Sequence, residues 1–139
     1  FMENDPFLSE KPDESQIKEQ LLALFFRYDE IMKLKLHPLE DRQEKIINET
    51  RSNVVEMEKL EKEIEMLSGQ ITESSTDEQI SKILERAKEI TQNILDISTK
   101  NKILAEENLE ITKSKSAIVD KELKETLEEI ERIKKGELN

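Results

Sequence analysis

The sequence has no cysteine and no tryptophan, only two glycines and three prolines, and aromatic side chains at 4% of its 139 positions. Without cysteine there is no disulfide framework and no thiolate chemistry, which suits a reducing compartment. Two glycines, Gly69 and Gly136, cannot build a phosphate-cradling loop. A single histidine, His37, leaves no Cys/His cluster for zinc, and its place before Pro38 reads as a turn rather than as a catalytic base. No apolar run approaches the ~18 residues of a membrane span, and no signal-peptide pattern opens the chain. Phe1 stands before Met2, the expected start of the native segment. Basic runs are short: Lys33 with Lys35, Lys113 with Lys115, and Arg132 with Lys134 and Lys135. The formal net charge is -11, so the surface repels phosphate, and direct contact with nucleic acid or anionic lipid is not expected. The abundant carboxylates need no cleft to explain them, because a charged helix surface does. The expectation is a non-enzyme with no cofactor, metal or small-molecule ligand.

What is present is charge, at 40% of residues, with Ile and Leu at regular intervals. Disorder competes for so charged a chain, but the regular apolar spacing argues for long helices. All the aromatics, Phe1, Phe7, Phe25, Phe26 and Tyr28, lie in the first 28 residues. The rest must be held by aliphatic side chains, which is the composition of a seam.

Residues 1–12 contain two prolines and no periodicity, and read as a flexible arm. Asp13 with Gln16 would cap a short first helix over 13–36. Ile17, Leu21, Leu24, Tyr28 and Ile31 form its stripe, widened by Leu22, Phe25 and Met32. Pro38 should end it, since proline disfavours helix at the residue before it and clashes with the preceding turn. Pro38 then opens a second helix over 38–68, with Ile46, Val54, Met57, Leu60, Ile64 and Leu67 on one face. Gly69 is a candidate left-handed cap, 69–77 a break, and Ser75 with Glu78 a capping box.

The third helix, 76–135, would be on the order of 90 Å long. In heptad terms its d positions are Ile83, Ile90, Ile97, Leu104, Ile111 and Ile118. Its a positions are Ile80, Ala87, Ile94, Asn101, Asn108 and Lys115. Beyond Ile118 the seam slips to Val119 and continues at Leu123, Ile130 and Ile133. An amide at an a position costs stability unless it meets a polar partner, so it favours the one pairing that supplies one. The small e positions, Thr91, Ser98, Ala105 and Thr112, would admit a further helix.

If the chain folded back at 69–77, Leu67 would lie near Ile80 and Ile46 near Asn101. The second helix would then run out at about residue 108; the first helix could return over Ile111 to Ile133 but is only about 23 residues long, which leaves some apolar seam for another chain. The fold class expected is therefore all-α: an elongated helical hairpin or coiled coil with a short N-terminal helix and one very long C-terminal helix. Partner-binding candidates are Ile94, Ile97, Asn101, Leu104, Asn108, Ile111 and Ile118, with Phe25 and Tyr28 in a separate head. The expected partners are other coiled-coil chains, in a hetero-oligomer rather than a homo-oligomer.

"EQLLALFFRYDEIMKL", "LEKEIEMLSG" and "NKILAEENLEI" stand in an order that resembles the coiled-coil subunits of the inner kinetochore, of the CENP-H type. That resemblance implies a non-catalytic scaffold subunit, at the centromere in the nucleus rather than in the cytoplasm. Asp5, Pro6 and Phe7, with "ETRSNVVEME" at 49–58, are similar to the N-terminal three-helix domain of Golgi and endosomal syntaxins. This second resemblance implies a regulatory helical domain in vesicle traffic. In "NDPFL" it offers a docking peptide.

Overall fold

A computed structural model describes residues 14–136. The expected arm at 1–12, Asp13 of the first capping box, and the NDPFL peptide lie outside the described residues. The described chain is two α-helices, with no strand among the described residues: α1, Glu14–Gly69, of 56 residues, and α2, Asp77–Lys134, of 58 residues.

The short first helix and the break at Pro38 are therefore corrected. α1 runs through Pro38, and His37 lies in a helix rather than in a turn. Proline inside a helix removes one hydrogen bond and presses its ring on the carbonyl four residues back, a cost of ~3 kcal/mol or more. Here Pro38 is exposed, and Leu34, whose carbonyl loses its donor, is 77% exposed, so the lost bond lies on the side where water replaces it. Around it Met32, Leu36 and Leu39 are all half-buried. Each half-buried aliphatic side chain contributes roughly 1 kcal/mol, so keeping the helix continuous offsets the penalty.

The chain divides into two compact units. The second, Asp41–Ile111, is a helical hairpin. Along α1 its shielded positions are Gln43, Ile46, Thr50, Asn53, Met57, Leu60, Ile64 and Leu67, alternating steps of three and four. Along α2 they run Ile80, Ile83, Ala87, Ile90, Ile94, Ile97, Asn101, Leu104, Asn108 and Ile111 with the same alternation. Ile46, Ile90, Leu104 and Ile111 are the buried centres, Ile90 with no exposure at all. Val54, expected on this face, is 39% exposed, and its neighbour Asn53 takes the seam.

Helix α1 ends without a left-handed residue at Gly69; Gln70 N–H and Ile71 N–H donate to the Leu67 and Ser68 carbonyls, tightening the last turn instead. The break falls where expected, but its cap is one residue later than expected. Thr76 N–H donates to Gln79 Oε1 at 2.9 Å, and Gln79 N–H donates to Thr76 Oγ1 at 3.2 Å, a reciprocal capping box that opens α2. Ser75 instead accepts from Thr72 N–H, which closes the turn.

The first unit joins 14–40 to 112–136, antiparallel. Leu24 and Ile133 are its buried apolar centres, and Ile17, Leu21, Tyr28 and Ile31 are half-buried around them. The seam of 112–134, expected to be left in part for another chain, is covered by 14–40, because α1 does not stop at Pro38. Shielded residues on α2 run Lys115, Ile118, Val119, Glu122, Thr126, Glu129, Ile130 and Ile133, and on α1 Leu21, Leu24, Tyr28, Ile31, Met32, Leu36 and Leu39, again at steps of three and four that share one side of each helix. Leu123, expected in the seam, is 44% exposed, and Glu122 is buried in its place. The chain closes on Gly136, the one described residue with positive φ (86°), whose N–H donates to the Ile133 carbonyl at 3.0 Å.

Candidate partner interface

Within the second unit the two seam asparagines are answered from the chain itself. Asn53 Nδ2 donates to Asn101 Oδ1 at 2.7 Å, and Gln43 Nε2 donates to Asn108 Oδ1 at 2.9 Å. Asn101 thus meets Asn53, seven residues along from the Ile46 expected opposite it. The apolar rhythm alone reads equally well at either position, and the amide match decides between them. Both pairs are half-buried, where an unpaired amide costs more than a paired one.

Ion pairs flank these layers. Arg42 grips Glu107 through both Nε and Nη2, with Nη2 to Oε2 at 2.7 Å, and Arg86 Nη2 donates to Glu63 Oε1 at 2.6 Å. The Glu107 and Glu63 carboxylates, accepting these hydrogen bonds, hold the two guanidinium groups above their ordinary pKa. Both pairs are exposed, so they contribute to register more than to stability.

In the first unit Lys35 Nζ lies 2.5 Å from Glu122 Oε1. The Glu122 side chain is 7% exposed, whereas Lys35 is 42% exposed. One carboxylate is therefore drawn into the seam while its cation remains partly in water. Lys115, at the third polar a position, lies 3.7 Å from Glu40. Among the described residues no buried side-chain nitrogen or oxygen lacks a hydrogen-bond partner.

The sequence-predicted site residues now have places. Ile94, Ile97, Asn101 and Asn108 are half-buried and Leu104 and Ile111 buried, all in the seam between the two helices of the second unit. Ile118 and Tyr28 are half-buried in the first unit. Phe25 is 49% exposed and Phe26 69% exposed, so among the described residues neither is enclosed by a helix. Missing from the sequence reading were Gln43, Asn53, Lys35 and Glu122. Pairing each polar seam residue with a polar residue of the antiparallel segment would have found the two amides. Glu122 gave no such signal, because a carboxylate beside Leu123 reads as the solvated neighbour.

A cleft of about 240 Å³ in the first unit is lined by Arg27, Glu122, Glu125, Glu128, Glu129 and Arg132, among others. Among the described residues no group could hold a metal ion, and no helix is long and apolar enough to cross a membrane. Compared with known protein families, with curated proteins and with solved structures, the chain matches none.

Proposed function

We propose that the chain is a coiled-coil assembly subunit that works by presenting helical faces to other proteins and has no catalytic role. The observation that supports this best is the polar layering of the seam. Asn53 with Asn101 and Gln43 with Asn108 fix one alignment of two helices at the expense of stability, which is how a coil specifies its pairing. With the seam residues occupied inside the chain, partners would meet side chains left outside it. Tagged purification of the native protein followed by mass spectrometry, and recombination of the purified components, tests this reading. The expected result is a stoichiometric helical partner that raises the melting temperature of the complex. Recombined candidates that leave melting and mass unchanged would overturn it.

For the cellular setting we keep the inner kinetochore first and a syntaxin-like regulatory domain second. The support is the order of the three quoted segments for the former, and Asp5, Pro6 and Phe7 for the latter. The identity of the purified partner, a centromeric coiled-coil chain or a vesicle-fusion protein, separates the two.

A further inference from the structure

Large apolar side chains are exposed in the first unit: Leu22 (70%), Phe25 (49%), Phe26 (69%), Leu34 (77%), Leu123 (44%) and Leu127 (61%). Four of them share a side, which Leu34 and Phe26 do not. One residue turns a helix by about 100°. Leu22 follows the half-buried Leu21, Phe25 follows the buried Leu24, Leu123 follows the buried Glu122, and Leu127 follows the half-buried Thr126. Each therefore stands about 100° past the seam, in the same rotational sense on both helices. When two antiparallel helices face each other, that sense leads to the same side from both. Leu22, Phe25, Leu123 and Leu127 thus lie on one face spanning two helices, whereas Phe26, about 200° past Leu24, stands on the back of α1. The opposite side carries the charged cleft of Arg27, Glu125 and Arg132.

We propose that this face is a dimer interface for a second copy of the chain, forming a four-helix layer. Its width is one argument. A single helix lying between α1 and α2 would cover Phe25 and Leu123 but leave the outer members, Leu22 and Leu127, in water. A second two-helix face covers all of them, and in a four-helix bundle each helix meets two neighbours in directions about as far apart as the seam and this stripe. Charge is the next argument. The chain carries -11, so a self-contact must be locally neutral. Beside the face, Asp29 is paired with Lys33 at 3.0 Å and Glu131 with Lys134 at 3.7 Å, each within its own helix. Two of the flanking carboxylates are thus compensated within the chain, and Lys18 and Asp120, one residue past the half-buried Ile17 and Val119, add one charge of each sign. Size is the last argument. The exposed parts of these four side chains amount to on the order of 400 Å² per copy. A pair then buries about 800 Å², in the range of transient contacts, which predicts a weak, isologous dimer.

The proposal stands on the geometry of the first unit and does not depend on the partner reading above. Sedimentation equilibrium of the full chain over ~1 to ~500 μM tests it. The expected mass rises from 16.3 kDa towards twice that value. Added salt should tighten the dimer by screening two acidic chains from each other, whereas a contact made by opposite charges would loosen. Phe25→Glu with Leu127→Glu should weaken association at least tenfold while circular dichroism keeps its helical signal, since both side chains are exposed. Ile103→Glu, at an exposed position of the second unit (60%), should leave association unchanged. A monomer at every concentration, a dimer unmoved by the double variant, or one lost equally in Ile103→Glu would each overturn the proposal. Binding of the face only by a different protein would do so as well.

Discussion

Asn101 and Asn53 show how a pair of side chains sets an alignment. Asn101→Ile alone strands the half-buried amide of Asn53 and should lower stability by about 1 kcal/mol in thermal melts. Changing both to Ile removes the stranded amide and should restore or exceed the starting stability, so the double-variant cycle should show strong coupling. Replacing Asn101 and Asn108 together, with Asn53 and Gln43 kept, should therefore destabilise. Had the polar partners come from another chain, the same change would stabilise the isolated protein. Lys35 and Glu122 are a second test. Lys35→Met leaves the buried Glu122 carboxylate without its cation and should cost about 1–3 kcal/mol, less than for a fully buried pair because Lys35 is 42% exposed. Adding Glu122→Leu should recover that loss. A melting temperature unmoved by Lys35→Met would show that water already solvates Glu122.

At the scale of the helices, Pro38 and Thr76 make opposite contributions. Pro38→Ala restores an amide donor for the Leu34 carbonyl and removes the ring clash, so urea unfolding should show a gain of about 1–3 kcal/mol. Thr76→Ala removes one half of the capping box and should cost about 1 kcal/mol, read as an earlier thermal transition. Helical class, the break after Gly69 and nearly all of the α2 seam were legible in the sequence, because aliphatic spacing reports them directly. The continuity of α1 was not. Local preference at Pro38 points to a break, and only the packing of Met32, Leu36 and Leu39 overrides it. The same limit explains Leu123 and Val54. Hydrophobicity alone assigns both to the seam, whereas the neighbours Glu122 and Asn53 enter it through specific polar partners.

For the whole molecule, the antiparallel arrangement of segments within each unit orders the contacts by separation along the chain. Glu63 and Arg86 are 23 residues apart, Asn53 and Asn101 48, Arg42 and Glu107 65, and Lys35 and Glu122 87. Closing the longest of these loops directly costs only about 1 kcal/mol more entropy than closing the shortest, but each inner contact shortens the loop that remains. Formation should therefore begin near the turn at 70–76 and proceed like a zip towards the ends. Substitutions near Leu67 and Ile83 should slow refolding, while those at Leu24 and Ile133 should mainly speed unfolding. Stopped-flow rates of the two sets distinguish this order, and equal effects on refolding from both would refute it. A ribosome making this chain from its N-terminus would thus complete α1 long before any of its partners exist. The nascent helix would wait, its apolar stripe uncovered, until the turn and the first heptads of α2 emerge.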